Sequence, residues 1–244
     1  MSTSTAAVTK AWLPVESNPS VFNEYAARLG WPTDLLAFAD LLSLEDWATG
    51  MLPAPVRAIA MLYLIKPCHE DHRAAEEDLR VLAAAADGAP AAPVFIKQEI
   101  ANACGTLALI HALGAVAAAG DVTLEPESWL AKFLEKSQTL DPEGRAELLA
   151  VDEEIEVEQA TAVAGGQSAQ VDDTWQHFVA FVEASGRLWE LDGRKGGPID
   201  HGPTTRATLL DDAITVMRSF MARDPEEVRF TMLALCAPIE EEQD

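Results

Sequence analysis

The chain has 244 residues, 49% of them hydrophobic, enough to bury a sizeable core within one large domain. With 40 acidic against 17 basic residues the formal net charge is −23, which argues against nucleic acid and anionic membrane surfaces and for a basic partner. Cys68, Cys104 and Cys236 form no disulfide framework and no secretory apolar segment follows Met1, so a reducing, intracellular location is expected.

Residues 1–10 are rich in Ser, Thr and Ala and read as disordered. Residues 12–16 look like a short strand that Pro14 confines to an edge or an end. Asn18 before Pro19 is helix-start chemistry, and Val21, Phe22, Tyr25, Ala26 and Leu29 then recur at helical spacing up to Gly30. Residues 35–42 are apolar and fit either element, while 43–47 suit a short helical turn. The unbroken apolar run 57–65, between Pro55 and Pro67, reads as a central strand buried on both faces. Residues 70–86 form a charged amphipathic helix. Cys68, His69 and His72 invite a metal, but zinc sites show four ligands in paired spacings, so a solvated helix start is the better reading. A turn-rich connector at 87–93 and a short strand at 94–96 follow.

Residues 98–114 read QEIANACGTLALIHALG and pass from polar and small residues into good helix formers. Cys104 therefore falls at a helix start, where unpaired N–H groups and the macrodipole favour an anion and so a thiolate. Gln98 lies six residues earlier and can offer an amide donor to the same place. The alternative, a small buried apolar Cys on an Ala-rich helix, stays open on these residues alone. The helix is expected to run to about Ala118, with His111 two turns from Cys104 and better read as a core residue. Residues 100–120 carry no charge and are long enough to span a bilayer, but Ala, Gly, Asn102, Thr106 and His111 make insertion poor.

Helices are expected at 126–138 and, from Asp141-Pro142, to Leu149. Residues 151–173 are acidic and small, without clear periodicity, and read either as a functional loop or as a solvated linker. The run 174–183 (TWQHFVAFVE) is an internal strand carrying His177, and 187–192 (RLWELD) is the second arm of its hairpin, ending at Asp192. A histidine on one arm and a carboxylate at the end of the other are what a base and its orienting group need, although a satisfied strand histidine and a plain Asp-Gly turn would look alike. A helix at 209–221 and a last apolar strand at 229–239, enclosing a structural Cys236, precede the acidic tail 240–244.

Taken together, Gln98, Asn102-Ala103-Cys104-Gly105-Thr106, Leu109-Ile110-His111-Ala112, His177-Phe178-Val179-Ala180, Glu190-Leu191-Asp192-Gly193-Arg194-Lys195, Pro198-Ile199 and His201-Gly202 resemble, in order and spacing, the short ubiquitin C-terminal hydrolases. The resemblance runs from Trp12 to the final strand and implies an α/β (α+β) fold of the papain-like cysteine protease type. Its central antiparallel sheet is flanked by helices, its backbone is knotted, and a crossover loop spans the cleft. The catalytic domain would occupy 11–239, with the crossover loop at about 153–172. Cys104 would be the nucleophile, His177 the general base and then acid, Asp192 its orienting group and Gln98 an oxyanion donor. Asn102 and Gln176 would contact substrate. The implied substrate is ubiquitin, or its nearest ubiquitin-like relative, carrying a small or unfolded C-terminal adduct. A monomer without metal or cofactor is expected, in the cytoplasm and with the nucleus also open; a catalytically weak ubiquitin-binding protein on the same scaffold is the alternative. Gly196-Gly197 and Asp200 depart from the family pattern and bear on the rigidity of that loop.

Overall fold

The computed structural model describes residues 10–84, 90–167 and 175–239. Its strands are β1 Ala37–Asp40, β2 Ala58–Leu64, β3 Gln176–Ala184, β4 Arg187–Leu191, β5 Ile199–Pro203 and β6 Thr231–Cys236. They form one six-stranded sheet in the order β1-β6-β2-β3-β4-β5, with every pairing antiparallel. The helices are α1 Pro19–Arg28, α2 Asp46–Thr49, α3 Pro67–Ala84, α4 Cys104–Ala118, α5 Trp129–Ser137, α6 Pro142–Ala150, α7 Glu153–Ala164 and α8 Leu209–Ala222. The fold is thus mixed α/β, a central antiparallel sheet flanked by helices, and no helix among the described residues is long and apolar enough to cross a membrane.

The two-residue period of β2 and β3 sorts their side chains into two layers. Phe178, Ala180 and Val182 join Ala58 and Ala60 in a large core under α1 and α4. Val179 and Phe181 join Ile59, Met61 and Tyr63 in a second core against α8, through Ala213, Met217 and Phe220. Because β2 and β3 are the middle strands they are apolar on both faces, as the uninterrupted run at 57–65 requires. Side-chain caps start the helices where the sequence puts them: Asn18 Oδ1 accepts from Ser20 N at 2.9 Å, and Asp141 Oδ1 from Gly144 N at 2.7 Å.

Several expectations need correction. Residues 12–16 make no strand: one isolated bridge, Ala11 to Ala101, precedes them, and Pro14 has no N–H to continue a ladder. Residues 94–96 also pair with no strand, since the Ile96 N–H goes to His111 Nε2 at 3.0 Å. Helix α3 begins at Pro67 rather than at residue 70, and β5 was not expected at all. The largest difference is at 153–172, expected as a loop: its first twelve residues are α7. Asp152 caps that helix through Glu154 N and Ile155 N, both at 3.0 Å, and three glutamates in the first turn suit the macrodipole. Ile155, Gln159, Ala162 and Val163 are its buried stripe, and Gln159 Nε2 donates to Leu13 O at 2.5 Å. Irregular chain starts only at Gly165. The expected disorder at 1–9, part of the connector at 87–93, residues 168–172 of the crossover loop and the acidic tail lie outside the described residues.

Candidate active site

Cys104 is the first residue of α4, and the preceding Ala103 has no side chain with which to cap the helix. The first-turn N–H groups are therefore free for the sulfur: the Cys104 thiol takes backbone hydrogen bonds from Gly105 and from Phe178 of β3. Glycine at 105 keeps the helix end tightly seated against the segment before α1 and against β3. A Cβ there would stand 3.1 Å from Val15 Cβ and 3.4 Å from the Phe178 ring.

β3 delivers a histidine to the Cys104 thiol. His177 is 2% exposed, and its Nε2 lies 2.6 Å from Asp192 Oδ1. Its side chain also hydrogen-bonds the Cys104 thiol, and with Nε2 engaged this leaves Nδ1 for the sulfur. Asp192 comes into reach because β4 pairs with β3 up to Ala180 opposite Leu191, and the next residue turns away at the open end of the ladder. The turn is fastened by Arg194 N to Asp192 Oδ1 and by Lys195 N to Asp192 O, both at 2.9 Å.

The electrostatics follow from this chain of contacts. Burial pushes the Cys104 thiol up, but the His177 hydrogen bond and charge, with the two backbone N–H groups, bring it below its ordinary value. Burial pushes His177 down, and the Asp192 charge and hydrogen bond, together with the thiol, overcome it and raise the imidazole. Burial pushes Asp192 up, yet the His177 charge and hydrogen bond hold it well below the usual carboxylate range. All three directions favour a thiolate beside an imidazolium.

Gln98 lies against the turn that follows Asp192. Its N–H donates to Gly193 O at 2.8 Å, seating it beside the Asp192 turn. Gly193 makes this approach possible, since a Cβ there would stand 2.9 Å from Leu107 Cδ1 and 3.0 Å from Gln98 Cβ. Gln98 Oε1 is buried and takes no hydrogen bond among the described residues. Asn102, two residues before Cys104, adopts a left-handed φ of 61° and donates to Trp12 O at 3.0 Å, so it anchors the segment before α1. Gln176 is exposed at the start of β3, beside His177. His111 stacks on Phe95 at 5.4 Å, accepts from Ile96 and feels Leu191 and Asp192 nearby, yet burial pushes it down to about 4, so it is neutral. His69 Nδ1 accepts from Lys66 N at 3.2 Å, a local contact at the start of α3.

Two features escape a reading of the sequence. Tyr63, opposite His177 across the β2–β3 ladder, sets its ring edge-on to the imidazole at 5.8 Å. Lys195 is buried between Glu76 and Glu190, with His201 on the far side of Glu190. The run Tyr63–His177 could be found only by registering two apolar strands, and the Lys195 cluster only by folding α3 onto the turn after β4.

With this geometry in hand, comparison with known proteins is informative. The family model described as ubiquitin carboxyl-terminal hydrolase, family 1, matches residues 12–222. A Drosophila melanogaster ubiquitin carboxyl-terminal hydrolase is 40% identical over 228 residues, covering 93% of this chain and 97% of that one. Ubiquitin carboxyl-terminal hydrolase 3 of Arabidopsis thaliana is 36% identical over 226 residues, covering 93% and 94%. The crystal structure of the Trichinella spiralis UCH37 catalytic domain bound to ubiquitin vinyl methyl ester superposes with a TM-score of 0.70 at 22% identity, covering 93% of this chain and 96% of that one.

Proposed function

Because the chain belongs to ubiquitin carboxyl-terminal hydrolase family 1, a family of cysteine-type deubiquitinating hydrolases, we propose that Cys104, His177 and Asp192 are its catalytic residues and that its substrate is ubiquitin joined through its C-terminal glycine to a small or unfolded adduct. The observation that carries the assignment is the continuous hydrogen-bonded chain Cys104–His177–Asp192.

The steps follow from the geometry. The Cys104 thiolate attacks the carbonyl carbon of the terminal glycine, forming a C–S bond and placing negative charge on the carbonyl oxygen. The Cys104 N–H at the head of α4 and the Gln98 amide stabilise that oxygen. The tetrahedral intermediate collapses, the bond to the adduct breaks, and its nitrogen takes the proton from His177. Water, deprotonated by His177, then hydrolyses the thioester and regenerates the thiol. Asp192 holds the ring so that Nδ1 faces sulfur throughout. The net charge of −23 supports a basic contact such as the tail of ubiquitin, drawn in by long-range attraction. Three free cysteines and a thiol nucleophile suit a reducing, cytoplasmic setting.

The test is hydrolysis of ubiquitin bearing a C-terminal fluorogenic amide, beside a fluorogenic short peptide. Turnover of the first alone, lost in Cys104→Ala while ubiquitin still binds, is the expected result. Retained turnover in Cys104→Ala would move the nucleophile elsewhere, and binding without turnover by the unaltered protein would make it a ubiquitin-binding scaffold.

A further inference from the structure

Beyond Asp192 the chain turns through Gly193, Arg194 and Lys195 and is clamped onto α3. Arg194 pairs with Glu70 at 2.6 Å. The Lys195 ammonium lies between Glu76 of α3 and Glu190 of β4, 2.5 Å from the latter. Lys195 is 4% exposed and Glu190 0%. His201 Nε2 approaches the second Glu190 oxygen at 2.8 Å. Ligand atoms of Glu76, Glu190 and His201 gather within 4.8 Å of one another, as they would round a metal ion, but here the chain provides the cation itself.

Burying a lysine and a glutamate costs desolvation free energy that an apolar pair would not incur. The neighbourhood explains why it is spent. Glu190 and Asp192 are two residues apart at the end of β4 and both buried; burial and, to a smaller extent, the Asp192 charge push Glu190 toward protonation, while Lys195 and His201 bring it below its ordinary value. Asp192 Oδ2 is buried with no hydrogen bond among the described residues, so cations nearby, His177 and Lys195, must compensate its charge. Without Lys195, two adjacent buried carboxylates would compete for a proton, and an Asp192 that gained it would no longer hold His177 charged.

We propose that Lys195 is a positioning residue for the reaction: its ammonium, held by Glu76 and Glu190, fixes the Asp192 turn and supplies the positive charge that two neighbouring buried carboxylates require. It never touches substrate; it acts through Asp192 on His177. The proposal rests on the catalytic assignment above.

The experiment compares Lys195→Met, Lys195→Arg and the double variant Lys195→Met/Glu190→Gln on ubiquitin with a C-terminal fluorogenic amide, reading kcat and KM separately. Lys195→Met is expected to lower kcat about tenfold at unchanged KM, the equivalent of displacing one protonation equilibrium by one unit. Lys195→Arg returns most of the rate, and so does the double variant, because it removes the stranded carboxylate along with its partner. Should Lys195→Met fail to fold, Glu76→Gln loosens the ammonium without stranding a fully buried charge, and is expected to lower kcat about threefold at unchanged KM. A kcat within about twofold of the unaltered protein in the folded variant, or a double variant as slow as Lys195→Met, overturns the proposal. If the unaltered protein itself fails to cleave the substrate, it is the catalytic assignment that falls.

Discussion

Cys104 heads a helix that is buried from Cys104 to Val116, largely among apolar neighbours, whereas His177 and Asp192 border a cluster of buried ions that includes Glu190 and Lys195. Cys104 is placed by packing and by backbone N–H groups; His177 is placed by charge. Packing is forgiving of chemistry but not of volume, and charge is the reverse. Changes on the α4 side should therefore cost stability unless they touch the sulfur, and changes on the β3–β4 side should cost rate.

Four variants and one condition can break or sharpen that contrast. The largest effect is Cys104→Ala, expected to abolish turnover with melting temperature nearly unchanged, checked by the fluorogenic ubiquitin assay and thermal unfolding. Next come Asp192→Asn and Gln98→Ala. Asp192→Asn is expected to lower kcat on the order of 100-fold, the lower end of what a positioned acid–base pair contributes. Its pH profile should also change in a stated direction. The active thiolate–imidazolium form spans pH from the lowered Cys104 value to the raised His177 value. Loss of the Asp192 charge lowers His177, so the alkaline limb of kcat/KM moves to lower pH. Gln98→Ala, removing one oxyanion donor, should cost about 100-fold in kcat with the pH limbs in place. On the packing side, Leu113→Ala, at a position with no exposure, is expected to destabilise the fold by about 3 kcal/mol in denaturant titration while kcat holds at temperatures where the protein remains folded. The smallest effect is on encounter: the association rate for ubiquitin, followed by stopped flow, should fall as salt rises from low to physiological strength, and a flat response would mean that net charge does not steer.

Stability against pH follows from the same pair. Asp192 is held below its ordinary value, so its contribution is present above the usual carboxylate range and is lost as pH falls below it. His177 is raised, so its contribution is full below the ordinary histidine value and is lost as pH climbs through the raised one.

The parts of this account that were legible in the sequence are those written in local chemistry. Asn18-Pro19 and Asp141-Pro142 announced helix starts, the run at 57–65 a middle strand, and Cys104, His177 and Asp192 a set whose spacing fits one family. Other parts are written in contacts between distant segments. Helix α7 hid because its buried stripe is Ile155, Gln159, Ala162 and Val163, a glutamine and an alanine diluting the apolar period; only docking against α1 and Leu13 O makes it a face. β5 contains Gly202 and Pro203, which argue against a strand, and it survives as a short edge. The Lys195–Glu76 contact spans 119 residues, so nothing near either residue foretells it.

The most direct test of the central idea, that His177 holds Cys104 as a thiolate, is the pH dependence of Cys104 alkylation in the protein alone, with Cys68→Ser and Cys236→Ala removing the other thiols. A thiolate present well below the ordinary thiol value of about 8.5, and shifted back toward that value by His177→Ala, is the predicted result. A Cys104 that titrates at the ordinary thiol value or above it, indifferent to His177→Ala, would contradict the account.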